Sequence, residues 1–209
     1  MSLRNEVVHG EDGRARCPWG ASAPDYVAYH DEEWGRPVAD DDRLFEKLCL
    51  EAFQSGLAWI TILRKRENFR AAFAGFSIEA VARFGPDDVE RLMADAGIVR
   101  NRAKIDAAIA NARAAAELRD GGGTLTDVIW SHAPAGPIPA PEAFDEIKAT
   151  TPESTALAKD LKRRGFRFVG PTTAYALMQA CGLVNDHMTG CWVREEVEQE
   201  QRAVRRSRA

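Results

Sequence analysis

The chain has 209 residues, with 28 Lys and Arg against 32 Asp and Glu and a net charge of −4. That length supports one sizeable core, and a content of 45% hydrophobic and 29% charged residues excludes collagen-like, disordered and membrane classes. No apolar run approaches the ~18 residues a membrane span needs, and the N-terminus has no apolar stretch of the secretory kind, so a reducing cytoplasm without structural disulfides is the expected setting.

Apolar residues recur three and four apart almost throughout, without sustained alternation, which predicts an all-α protein. Residues 1–15 read as a polar extension, 16–192 as a single globular domain, and 193–209 as a charged tail, a frayed helix or disordered. Asp40 to Asp42 offer N-caps for a helix through Leu44, Phe45, Leu48 and Phe53, which Gly56 closes or kinks. A second helix is predicted over 59–73. Pro86 opens a short one ending at Gly97, and Ile105, Ile109 and an Ala-rich run to Leu118 form a long one ended by Gly121 to Gly123. Leu125 to Trp130 read as a short helix, and Pro134 to Pro141 as a rigid connection with no helix interior. Residues 151–164 and 172–181 make the last helix pair, joined by the turn GFRFVG.

Charge is unevenly spread along this order. Nine acids against three bases lie between Asp25 and Phe53, and five bases against one acid between Lys159 and Thr172. Mild overall acidity argues against a nucleic-acid partner, but the basic segment coincides with the last hairpin. There Lys162, Arg163 and Arg164 precede Gly165, and Gly170 and Thr172 begin the next helix. Glycines permit close backbone approach and a helix N-terminus offers free amides to phosphate, so this is either a DNA-backbone clamp or an ordinary connection with a solvated basic face.

Glu51 stands on the stripe Leu44, Leu48, Glu51, Ser55, where a core residue is expected. A carboxylate there is a functional-site candidate, unless its helix face is solvated or it pairs with an arginine. Tyr26, Tyr29, Trp34 and Trp59 flank the acidic segment as flat surfaces on which a base could stack, or as core. Cys17, His30, His187 and Cys191 form a Cys₂His₂ set suited to tetrahedral zinc, although without a C-x-x-C pair the spacing alone has little specificity. Cys49 and Cys181 lie in apolar stretches and read as core. His132 has no partner in view.

The strings RCPWG, YVAYHDEEWG, LFEKLCLEAFQSGLAWITILRKRENFRAAF, DAGIVRNRAKIDAAIANAR and KRRGFRFVGPTTAYALMQACGLVNDHMTGC closely resemble the 3-methyladenine DNA glycosylase I family, the zinc-containing bacterial type of helix-hairpin-helix DNA glycosylase. The likeness runs from about Arg16 to Cys191. It implies two helical lobes with the active site in their cleft, and one structural zinc on Cys17, His30, His187 and Cys191 that pins the N-terminal segment to the C-terminal one. It implies that Glu51 contacts the base as the catalytic carboxylate, that Tyr26, Tyr29 and Trp59 line the base pocket, and that Gly165 to Thr172 grip DNA.

The implied activity is base-excision repair: base flipping and monofunctional hydrolysis of the N-glycosidic bond of 3-methyladenine, leaving an abasic site. Asp186, beside His187, is not assigned as the base, and no lysine stands where a Schiff-base nucleophile is expected. The expected partners are double-stranded DNA carrying alkylated adenine and the free 3-methyladenine product, with no membrane and a monomeric enzyme. The acidic segment is expected to supply carboxylates that select a cationic base, and salt is expected to weaken DNA binding through Lys162, Arg163 and Arg164.

Overall fold

Helix α2 (Asp41–Gln54) is the axis of the fold: every residue from Leu44 to Phe53 is buried. Its start is fixed chemically, because the Asp40 carboxylate accepts from the Arg43 amide at 2.9 Å and Asp41 and Asp42 sit in the positive first turn. The computed structural model describes residues 5–208. Around α2 lie α1 (Pro24–Glu32), α3 (Trp59–Ala72), α4 (Ile78–Ala82), α5 (Pro86–Ala94), α6 (Arg102–Asp120), α7 (Leu125–Trp130), α8 (Pro152–Arg163), α9 (Pro171–Ala180) and α10 (Arg194–Arg208). α3, α6, α7 and α9 all pack on α2. The chain is mostly helical, as the periodicity predicts. No helix among the described residues is long and apolar enough to cross a membrane.

Local chemistry sets most boundaries. Asn101, Thr124 and Thr151 cap α6, α7 and α8 by accepting backbone amides three residues on, and prolines open α1, α5, α8 and α9. One contiguous core joins Phe45, Phe53, Phe69, Phe73 and Phe76 to Leu157, Phe166, Val169 and Leu177, so the first and last thirds of the chain share one interior. Cys49 and Cys181 are buried within it as free thiols.

Four segments depart from the sequence reading. The short helices α1 and α4 go unpredicted, α4 because five residues carry too little periodicity. The N-terminal extension folds into a hairpin of β1 (Val8–His9) and β2 (Ala15–Arg16), and Asn5 accepts from the Phe144 amide at 3.2 Å. The charged tail is neither frayed nor disordered. As α10 it buries Val197 and Gln201, and Gln201 donates to the carbonyls of Gly35 at 2.9 Å and Val184 at 3.0 Å. Its apolar content is small, and polar bonds to buried loop carbonyls hold it instead. His132 also finds a partner, Asp160, at 3.2 Å.

Candidate active site and metal centre

Four elements converge on a cavity of about 420 Å³, within the range of small-ligand sites. Tyr26 and Tyr29, three apart on α1, supply one wall, Glu51 and Gln54 on α2 the floor, Trp59 opens α3, and Ala176 and Gln179 come from α9. Trp19, Trp34, Phe144 and Ile147 complete the lining. The rings of Tyr29 and Trp59 stand 5.4 Å apart, and Trp19 packs edgewise on Trp34 at 4.9 Å and on Tyr26 at 5.7 Å. The structure therefore brings Tyr26, Tyr29, Trp34, Glu51 and Trp59 together, as the sequence suggested.

Tyr26 does more than line the cavity. Helix α3 has no side-chain cap at Ala58, and the Tyr26 hydroxyl accepts from the Ile60 amide at 2.9 Å. It thereby fixes the helix start on which Trp59 stands. The indole Nε1 of Trp59 is buried without a hydrogen-bond partner among the described residues.

Glu51 is 6% exposed, and its carboxylate makes no hydrogen bond or ion pair with another described side chain. Burial pushes it up to about 7, opposed only in part by Lys47. It is the one member of the acidic segment that lines the cavity. Asp31 pairs with Arg16, Glu33 with Lys47 and Arg66, Glu46 with Arg43 and Arg70, and Asp41 with Arg119. The expectation of several selecting carboxylates is thus corrected to one, because among the described residues no other acid lines the cavity and most of the rest are held in ion pairs.

Trp19, Gln54, Phe144, Ile147, Ala176 and Gln179 were missed. Gln54 had a legible signal, lying three residues after Glu51 on one helix face. Trp19 stood out as a tryptophan in a polar segment, whereas Gln179 had no signal. Asp186 is not among the residues lining this cavity; it accepts from the Tyr175 hydroxyl at 2.8 Å and from Gln179 Nε2 at 2.7 Å. No lysine lines the cavity either.

Beside this cavity Cys17, His30 and Cys191 are buried with ligand atoms within 4.8 Å of one another, a group that could hold a metal ion. Cys191 Sγ lies 3.5 Å from His30 Nε2, and the neighbouring Cys17 thiol and His30 draw Cys191 below the usual thiol range. His187 packs edgewise on His30, with ring centroids 4.9 Å apart, and its Nε2 is buried and unpartnered among the described residues. Its Nδ1 faces Asn185 Oδ1 at 3.0 Å, and His30 Nδ1 faces Asp31 Oδ1 at 2.8 Å. Each contact directs a Nε2 lone pair inward, the usual outer layer of a metal site. Gly35 adopts φ +83°, and a Cβ there would approach His187 Cε1 to 2.9 Å, so a glycine is required behind the ring.

The turn between α8 and α9 is held from inside and offered outside. Phe166 and Val169 are buried, while Lys162, Arg163, Arg164, Gly165, Arg167, Phe168 and Thr172 are exposed. Gly165 takes φ +91°, a conformation open to glycine. Gly170 is the N-cap of α9, and the Thr172 and Thr173 amides precede the first helical bond, from Ala174 to Gly170. Asn111 of α6, unforeseen from sequence, brackets the turn: it accepts from the Arg167 amide at 2.7 Å and donates to the Arg167 carbonyl at 3.1 Å. Arg163 and Arg164 both pair with Asp160, while Lys162 has no ion-pair partner among the described residues.

The cavity thus joins a buried carboxylate and aromatic walls to a helix, α9, that begins at a basic turn, an arrangement suited to a flat base. A family model described as methyladenine glycosylase matches residues 19–195. The chain is 51% identical over 177 residues to DNA-3-methyladenine glycosylase 1 of Escherichia coli (strain K12), an alignment covering 84% of this chain and 95% of that relative. A crystal structure of 3-methyladenine DNA glycosylase I superposes with a TM-score of 0.82 at 51% identity, covering 85% of this chain and 98% of that one. A variant 3-methyladenine DNA glycosylase I in complex with 3-methyladenine gives 0.81 at 34% identity, covering 86% and 97%. The chain belongs to the methyladenine glycosylase family.

Proposed function

We infer that this protein is a DNA-3-methyladenine glycosylase, which hydrolyses the N-glycosidic bond of 3-methyladenine in alkylated DNA and leaves an abasic site for base-excision repair. The observation that carries the reading is Glu51, a buried carboxylate without a hydrogen-bond or ion-pair partner among the described residues, in an aromatic-lined cavity. Such a group is costly to bury unless a ligand supplies the partner. An adenine alkylated at N3 supplies both a cation and hydrogen-bond donors on its edge.

The chemistry follows from that pairing. A duplex hides the glycosidic bond, so the damaged nucleotide rotates out of the stack, at a cost of about a few kcal/mol that is smaller for a damaged base. Tyr29 and Trp59 present ring faces to the extruded base, and cation–π attraction is worth about 0.5–2 kcal/mol per ring. Glu51 accepts hydrogen bonds from the base and favours its positive charge. The cationic purine is already a good leaving group, so recognition does much of the work. As it departs, water adds to the oxocarbenium-like sugar carbon, and with no lysine in the cavity the reaction ends at the abasic site.

The architecture is read as the two-lobed helix-hairpin-helix type, with α1, α2 and α3 on one side of the cavity and α9 on the other. The turn from Gly165 to Thr172 is the DNA-backbone clamp: it begins the helix whose Ala176 and Gln179 line the cavity, so a gripped backbone would lie close to the pocket. One zinc per chain would be held by Cys17, His30, His187 and Cys191, a set supported by the converging ligands and by the orphan Nε2 of His187. With four protein ligands its part would be a structural cross-link between chain ends. The protein acts as a cytoplasmic monomer on double-stranded DNA.

Incubation with methylated DNA should release 3-methyladenine, identified by chromatography. Glu51→Gln should reduce release at least about 100-fold while DNA binding persists. Binding without a freed base by the unmodified protein would refute the assignment, and release of a different purine would redirect it.

A further inference from the structure

Glu51 shares its helix face with a second buried charge. Lys47, one turn earlier on α2, is only 4% exposed, an uncommon place for a lysine without a partner. Its ammonium is held by Glu33, whose other carboxylate oxygen takes Arg66 at 2.6 Å. The same ammonium lies 5.4 Å from the ring centroid of Tyr29, a wall of the base cavity. Charges therefore alternate from the cavity outward in the order Glu51, Lys47, Glu33, Arg66.

Resting on the reading of Glu51 as the base-contacting carboxylate, we propose that Lys47 is a positioning residue for the reaction: buried one turn from Glu51 and held by Glu33, it favours the anionic form of Glu51. The pocket then meets a cationic purine with a larger anionic fraction of Glu51 than burial alone would leave. Lys47 touches neither base nor sugar in this scheme and acts only through Glu51 and the Tyr29 wall.

The other groups around Glu51 leave this task to Lys47. From α1 come Tyr29, held well above its usual range by burial, and Glu33, which is anionic. Cys181, at the end of α9, is pushed up to about 12 by burial and stays neutral. Arg66 of α3 is paired with Glu33. Lys104 of α6 donates to the Phe53 and Ser55 carbonyls at 2.8 and 2.6 Å. Burial raises Glu51, and Lys47 is the group that opposes it.

Carboxyl-¹³C NMR of glutamate-labelled protein tests this directly, with the Glu51 resonance assigned by its loss in Glu51→Gln. Lys47→Met should raise the Glu51 midpoint by about one unit or more, Lys47→Gln, which keeps a hydrogen-bond donor toward Glu33 without the charge, should raise it likewise, and Lys47→Arg should restore it. A merely structural Lys47–Glu33 pair would change the melting temperature and leave the midpoint in place. An unmoved midpoint in folded Lys47→Met overturns the proposal; should that variant not fold, an unmoved midpoint in Lys47→Gln does so.

The acid limb of kcat/KM for 3-methyladenine release should follow the midpoint, with a one-unit rise costing about tenfold below it. If the resonance moves and the limb does not, the coupling stands and the reading of Glu51 as the reactive carboxylate fails.

Discussion

At Glu51, folding and chemistry make opposite demands. Burial pushes the carboxylate up to about 7 from a usual 4.5, so the folded state holds a proton that the unfolded chain has already released. Stability from this group is complete below about pH 4.5 and declines as pH rises toward 7. Base recognition needs the ionised form, which accumulates over the same interval. Glu51→Gln should therefore be more stable than the parent at pH 8, by up to about 3 kcal/mol, and the gap should close near pH 4.5. Denaturant titrations at several pH values check this, and a gap independent of pH would contradict it. Glu51 was legible in the sequence because an acid interrupted an apolar stripe. Gln179 was not, since it became a cavity residue only when α9 packed across α2.

The turn from α8 to α9 shows what one element can and cannot specify locally. Its glycines, its buried Phe166 and Val169 and its Pro-opened second helix are all visible in sequence. What locks it is Asn111, 56 residues earlier, through both backbone groups of Arg167. Asn111→Ala should lower stability by about 1–3 kcal/mol through two lost bonds at a buried side chain. It should also weaken DNA binding, even though Asn111 carries no charge. Thermal melting and a binding titration at fixed salt check the two effects. Arg163 and Arg164, paired with Asp160, shift more of the expected salt dependence onto Lys162.

Helix α10 carries the converse lesson. Composition suggested fraying, yet Gln201, Arg194 and Arg205 each donate to backbone carbonyls of the 183–187 loop or its neighbours. Those carbonyls exist as acceptors only because the loop folds back without regular structure, and no helical pattern in 194–208 announces them.

Over the whole molecule, the two chain ends meet. β2 leads into Cys17, and the loop before α10 carries His187 and Cys191. Asp31 joins the layers by accepting from Arg16 at 2.7 Å and from Trp192 Nε1 at 3.1 Å while facing His30. A metal held at this point would close a loop of nearly the full chain length, so its loss should be felt globally. Metal analysis should find about one zinc per chain, and Cys191→Ser should lose it and melt on the order of 10 °C lower. Unchanged metal content and melting in that variant would reject the four-ligand site.

The sequence by itself determined the helical class, most helix limits and Glu51 as a candidate site carboxylate, because caps, prolines, glycines and an acid on an apolar face act over a few residues. Only the tertiary structure decided which acids are free and which are spent in ion pairs, which glutamine and tryptophan complete the cavity, and which asparagine locks the hairpin. Those outcomes depend on contacts between segments far apart in the chain, where no local pattern distinguishes a partner from a bystander.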